Sequence, residues 1–221
     1  MAKRDTPLLH RDDPDKAPLV GHIKVTREDW LNVARDALVT GGVGEVKVLS
    51  LAARLDVSRS SFYGYFKSRK HLLAALLEDW ERRNTRTLVT HCEMPAGNIT
   101  EGLCNFFRCF VDPRLFDRGL DFAVREWSRR DAKVRAGIDA ADSARLDAVT
   151  RMFIHHRYDP VEADARARIL YFMQLGYHAL EVREPMDLRM SRLEPYILGF
   201  SGRPADPIAI AAFRDFALAQ E

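Results

Sequence analysis

Val48-Leu-Ser-Leu-Ala-Ala-Arg-Leu-Asp-Val-Ser-Arg-Ser-Ser-Phe-Tyr-Gly-Tyr-Phe66 is the stretch that decides how this chain is read. Two short helical patterns flank a single sharp turn, so the second helix must cross closely over the first and project from the surface. Ala52 supplies the small residue at the crossing, where a larger side chain would push the helices apart. Leu51, Leu55, Val57, Phe62 and Phe66 supply the shared core. Asp56 stands where the chain must pass through a left-handed conformation, which Gly takes most easily and Asp better than most other residues. With the core positions removed, Arg59, Ser60, Ser61, Tyr63, Gly64 and Tyr65 remain at the outer face or its rim. Hydrogen-bond donors set among small residues suit a helix inserted into the major groove of DNA.

Upstream, Thr26-Arg-Glu-Asp29 reads as a capping box that opens a first helix. Trp30, Val33, Ala34, Ala37 and Leu38 repeat on one face of it, and Gly41-Gly42 end it. The second helix covers about Val48 to Leu55. Ser58 can cap a third, running to about Phe66, and Ser68 a fourth and longer one, from Arg69 to about Thr90. Residues 1–24 hold three prolines and many charges without periodicity, the pattern of a flexible arm. Downstream, Met94-Pro95-Ala96-Gly97 breaks the helical pattern. Further helices follow near 98–110, 117–130, 132–156, 161–184 and 206–219. Pro185 stops the fourth of these, since it lacks an amide donor and clashes with the preceding turn. Leu188 to Leu198 reads as a short helix or an irregular connector. No alternating strand, internal repeat or heptad pattern stands out, so the fold class is all-α.

The composition, 47% hydrophobic and 30% charged over 221 residues, is that of a globular protein. No stretch approaches the roughly 18 apolar residues of a membrane span. The first residues lack the apolar core of a signal peptide, which points to the cytoplasm and to no membrane partner. Cys92, Cys104 and Cys109 lack zinc-ligand spacing and read as reduced thiols in or near a core. Residues 1–70 carry 13 Lys and Arg against 9 Asp and Glu; the remainder carries 21 against 23. A basic front on a slightly acidic back fits a nucleic-acid-binding head on a body with another task. His155-His156 point different ways on a helix with no further ligand at metal spacing, so neither a metal nor a cofactor is expected.

From about Val25 to Leu77 the chain resembles the tetracycline-repressor family of regulators (TetR/AcrR), most specifically over Val57 to Leu73. There an aromatic pair, a second pair ending in Phe, a short polar turn, a basic residue and a Leu pair follow in order. The resemblance implies a three-helix helix-turn-helix head joined by a long fourth helix to a helical body. The domains would be the arm at 1–24, a DNA-binding domain at 25–70, and an effector-binding and dimerisation domain at 71–221. It further implies that Tyr63 and Tyr65 lie on the DNA backbone and that Arg59, Ser60, Ser61 and Gly64 face the groove, with Ser58 at the head of the helix also among the DNA contacts. Lys67, Arg69 and Lys70 would neutralise phosphates. Arg59 has two readings, a fork on guanine or a clamp on phosphate. Three positions depart from the family pattern. Asp56 replaces a turn Gly. Lys47 replaces a capping Ser or Thr and can reach a phosphate instead. Lys70-His71 replaces an acidic pair.

In the body, the helix from Ala163 to Glu184 is apolar nearly all round, which suits burial on several sides. Ile169, Phe172, Met173, Gly176, Ala179 and Leu180 form one broad face for a homodimer, with Phe213 and Phe216 on the last helix as its second half. The resemblance also implies an effector pocket, for which Phe106, Phe107, Phe110, Phe116, Phe122, Trp127, Phe153 and Tyr171 are available as walls. Arg125, Glu126 and His178 are its available polar groups, and each of these residues could equally be core. The implied partners are a double-stranded DNA operator, a second copy of the chain and a small-molecule effector. The implied function is a ligand-responsive transcription regulator, a repressor released from a pseudo-palindromic operator. The rival readings are a helical interaction module that has lost DNA binding and a helical enzyme. No Gly-rich phosphate loop, Gly-x-Ser-x-Gly elbow or His-Glu-x-x-His occurs to support the latter.

Overall fold

A computed structural model describes residues 25–220; the arm expected at 1–24 lies outside the described residues. All regular structure among them is helical. The described residues form two compact units, one made of residues up to 80 together with 119–134, the other of 81–118 together with 135 onward.

The first unit begins with α1 (Arg27–Gly41), and the expected capping box is present. The Asp29 amide donates to Thr26 Oγ1 and the Thr26 amide to Asp29 Oδ2, so two otherwise orphaned donors are satisfied reciprocally. Then come a 3-10 turn at Val43–Glu45, α2 (Val48–Arg54), α3 (Arg59–Tyr63) and α4 (Arg69–Trp80). Trp30, Leu38, Leu51, Leu55, Phe62 and Phe66 are fully buried. Trp30 meets the Phe62 ring edge-on at 5.3 Å, and Phe62 stacks on Phe66 at 5.5 Å. Val57 is only half-buried, because it lies just outside the turn. Arg35 donates to Asp79 at 2.7 Å, tying α1 to α4, and Arg54 pairs with Asp36 across α1 and α2. Residues of α7 (Arg118–Ser128) complete the unit. Trp80 Nε1 donates to Asp121 Oδ1 at 2.8 Å, and Arg125 Nε to Asp121 Oδ2 at 2.9 Å.

Helical backbone continues beyond Trp80 as a π-helical segment at Glu81–Arg86 and then α5 (Thr87–Cys92). The long fourth helix of the sequence reading therefore carries a widened turn in its middle, which residue periodicity does not signal. The second unit adds α6 (Ile99–Val111), α8 (Ala132–His155, whose first residues belong to the first unit) and α9 (Pro160–Ala179). It closes with α10 (Met186–Ser191), α11 (Leu193–Ser201) and α12 (Pro207–Leu218). The stretch 188–198, read as a short helix or an irregular connector, is thus helical, in two pieces. Leu103, Phe106, Val149, Phe153, Leu170, Tyr171 and Phe213 form the centre of its core.

Three helices stop on the same device. Asp56, Arg157 and Glu181 adopt positive φ of 54°, 66° and 49° just past the ends of α2, α8 and α9. At each, the next residue donates back to the carbonyl five positions earlier: Val57 to Ala52, Tyr158 to Phe153, Val182 to Tyr177. These are Schellman caps without glycine. At the second, the Phe153 and Tyr158 rings meet at 5.2 Å, the apolar contact that accompanies this cap. Such a cap ends α9 before Leu180, five residues short of the sequence expectation, which relied on Pro185 as the stop.

Candidate nucleic-acid interface

The expected recognition helix α3 is one turn and a half long, and its exposed face carries Arg59, Ser60 and Tyr63. It ends at Tyr63 rather than Phe66: Tyr65 and Phe66 both donate to the Phe62 carbonyl, tightening the chain into a turn. Arg59 Nη2 donates to the Tyr63 hydroxyl at 3.0 Å, one helical turn away, and its guanidinium lies 5.8 Å from the centre of the Tyr63 ring. A long, flexible cation is thereby held to one side of the helix. Ser58 takes an extended backbone at the head of α3, but its hydroxyl pairs with Ser60 Oγ at 2.7 Å instead of capping the helix. Val57, Ser58, Ser60, Ser61, Gly64 and Tyr65 line a shallow hollow beside this face. Gly64 has an ordinary helical φ of −71°, so its contribution there is the missing side chain, not an unusual backbone.

The remaining expected contacts are of two kinds. Lys67 and Lys70 are exposed and form no ion pair among the described residues, so both charges face solvent. Lys47 gives no side-chain cap to α2 and pairs with the exposed Glu45 at 3.0 Å, a surface pair of little energetic weight. Tyr65 and Arg69, by contrast, are engaged within the head. The Tyr65 hydroxyl donates to the Val25 carbonyl. Arg69 donates through Nε to Val46 O at 2.6 Å and through Nη2 to Val43 O. Arg69 therefore holds the 43–46 turn in place, and a phosphate can receive the Tyr65 proton only by displacing Val25. Ser68 Oγ accepts from the His71 amide, while His71 Nδ1 accepts from the Lys67 amide, each at 3.2 Å. His71 thus supplies at the start of α4 the acceptor that an acidic residue usually provides.

The residues considered for an effector pocket fall into different units. Phe122, Arg125, Glu126 and Trp127 belong to α7 in the first unit. There Arg125 is bound to Asp121, and Glu126 lies exposed, 3.3 Å from Arg129. Phe106, Phe110, Tyr171 and His178 are buried in the second. His178 packs its ring edge-on against Phe110 at 5.1 Å, and its Nε2 lies 2.7 Å from the Gln174 side-chain nitrogen. The Tyr171 hydroxyl donates to Asp142 at 2.6 Å and accepts from the fully buried Arg145 at 3.3 Å. A cavity does open in the second unit; of the candidate walls it takes Phe107 alone, beside Met173, Tyr177 and Tyr196. The sequence held Met173, Tyr177 and Tyr196 among many other apolar or aromatic positions, and no local pattern distinguished them.

The residues considered for a dimer face also separate. Ile169, Phe172 and Leu180 are 59%, 51% and 78% exposed. Ala179 is exposed, and Met173, Gly176 and Phe216 are half-buried. Phe213 is buried in the core of its own unit and offers no surface to a partner. None of the described helices is long and apolar enough to cross a membrane, and no three His, Cys, Asp or Glu side chains among the described residues are placed to hold a metal ion.

Residues 31–76 match the family model of bacterial regulatory proteins of the tetR family. No curated protein sequence matches the chain. Among solved structures, Salmonella enterica GusR superposes with a TM-score of 0.53 at 16% identity, over 88% of this chain and 94% of that one. That likeness concerns the fold, and it extends well beyond the head. The head thus carries the helix-turn-helix of the tetR family model, and the all-α fold of the chain is shared over most of its length with that structure.

Proposed function

We propose that the chain acts in the cytoplasm as a homodimeric repressor that leaves a pseudo-palindromic operator when a small molecule binds the second unit. The observation that carries this reading is the exposed face of α3, where Arg59 is oriented by Tyr63 and flanked by small hydroxyl side chains. A single short recognition helix binds too weakly to specify a site. Two-fold dimers solve this by reading half-sites about 34–36 Å apart. Exposed Ile169, Phe172 and Leu180 near or on α9, with Ile208 and Leu218 on α12, supply apolar surface of the kind that marks a protein interface. A ligand releases DNA only if it prefers the arrangement that does not fit the operator, and couplings of about 1–3 kcal/mol are typical of such switches.

The test is selection of binding sites from random duplex DNA by the purified full chain at a fixed moderate salt, followed by affinity measurement on the enriched sequence. An enriched two-fold-symmetric site, bound by a dimer and weakened by salt, is the expected result. No enrichment, with residual binding abolished by modest salt, would overturn the sequence-specific reading.

A further inference from the structure

The cavity in the second unit is small, about 540 Å³ counting its open mouth, and its inner wall is apolar: Phe107 of α6, Met173 of α9, Met190 of α10, Leu193 of α11 and Phe213 of α12. Its rim is charged. Glu184 lies there but is already neutralised, accepting from Arg192 Nη1 at 2.5 Å and from the Tyr177 hydroxyl at 2.8 Å. Arg183 pairs with Glu181 at 3.6 Å. Arg189 lines the cavity with its guanidinium 5.6 Å from the centre of the Tyr177 ring, and neither it nor Arg118, the first residue of α7 and the last of its stretch in this unit, forms an ion pair among the described residues. Arg118 is held below the ordinary arginine range, first by partial desolvation of its guanidinium, although the residue as a whole is exposed, and next by the like charge of Arg189. A cation lining an apolar recess, with a second cation close enough to repel it, forms an arrangement that an anion relieves.

We propose that this cavity binds a small carboxylate bearing one ring or a short apolar chain, with the apolar part among Phe107, Met173 and Phe213 and the carboxylate on Arg189, where Arg118 adds to the positive field. The assignment rests on the reading that the second unit senses a ligand, and it gives that ligand a chemical class. A carboxylate matches the planar fork of a guanidinium, whereas a cationic ligand would meet two like charges. A neutral ligand of the same shape would keep the apolar contacts and lose the charge-assisted hydrogen bonds.

The experiment is calorimetric titration of the full chain with benzoate and phenylacetate, and with benzyl alcohol and benzylamine as neutral and cationic counterparts. The carboxylates should bind about tenfold to a hundredfold more tightly than benzyl alcohol, the range expected for hydrogen bonds to charged groups. The double substitution Arg118→Ala and Arg189→Ala should reduce benzoate to the level of the alcohol. Glu184→Gln should act in the opposite direction and tighten benzoate, because it removes a carboxylate from the cavity lining and releases the Arg192 charge that it now balances. The proposal is overturned if no carboxylate binds saturably, if benzyl alcohol or benzylamine matches benzoate, or if the folded double variant binds benzoate as the parent does. Operator release is measured separately on the selected duplex. Benzoate that binds through these arginines yet leaves the DNA held supports the site and counts against its role as an effector site. A compound that releases DNA without competing with benzoate, where carboxylates do not bind, overturns the site and leaves the regulator reading intact.

Discussion

Arg59→Ala is the most informative single change in the head. In the structure its guanidinium is fixed by the hydrogen bond to Tyr63 and touches no acidic side chain, so its donors are free to face DNA. If the fork reads one base edge, its removal costs about 1–3 kcal/mol per half-site. A dimer loses that twice, about 2–6 kcal/mol, or about thirtyfold to ten-thousandfold in affinity. The loss must be local: the variant should cease to discriminate at one symmetric pair of positions while its preferences elsewhere persist. Tyr63→Phe removes the acceptor that orients Arg59, and an exposed hydrogen bond of this kind is worth about 0.5 kcal/mol. Its effect should fall on the same base position and be non-additive with Arg59→Ala, since the two side chains act through one contact. The assay is fluorescence anisotropy on the selected operator and on its single-base variants, at several salt concentrations. A uniform loss across all sequences, with the salt slope falling by about 1 per half-site, would refute base reading and make Arg59 a phosphate clamp.

Other outcomes follow from the same structure. Ile169→Glu with Phe172→Glu should turn a dimer into a folded monomer in sedimentation equilibrium. Each half-exposed side chain stands to bury about 1 kcal/mol of apolar surface, about 4 kcal/mol across a two-fold interface, and an unchanged dimer would place the interface elsewhere. Asp121→Ala should destabilise the protein by about 3–5 kcal/mol in urea unfolding, because it removes the buried carboxylate that accepts from both Arg125 and the Trp80 indole N–H. Asp121→Asn, which keeps an acceptor, should cost less. Burial pushes the Cys92 and Cys104 thiols up from 9.0 to about 12 and raises Cys109 as well, so at pH 8 a thiol-specific reagent should label the native protein far more slowly than the urea-unfolded chain. The folded state keeps these protons longer than the unfolded one, so their contribution to stability is complete below pH 9 and is lost as pH rises towards 12. Unfolding midpoints at pH 8 and pH 10 test the sign.

Much of the head was legible in the sequence because its determinants are local. Thr26 and Asp29 stand three residues apart and cap one helix turn, and Asp56 sits at a position whose backbone is set by the residues on either side. The alternation of Trp30, Leu51, Leu55, Phe62 and Phe66 with polar residues named the core of the helix-turn-helix before any contact was seen, since a short amphipathic helix has only one face to bury. Tertiary structure decided what depends on residues far apart in the chain. It gave the Tyr65 hydroxyl to Val25 and Arg69 to the 43–46 turn, bonds that span 40, 23 and 26 residues. It buried Phe213 while leaving Ile169, Phe172 and Leu180 in the open, although all four read alike in a helical pattern. It also capped α9 at Glu181 and lined the cavity with residues of α6 and α9 to α12, while Phe122, Arg125, Glu126 and Trp127, equally available in the sequence, belong to the other unit. Helical periodicity says that a side chain is apolar and on which side of its helix it lies. Which neighbour covers that side, and where the packing leaves a gap, is fixed only when the helices meet.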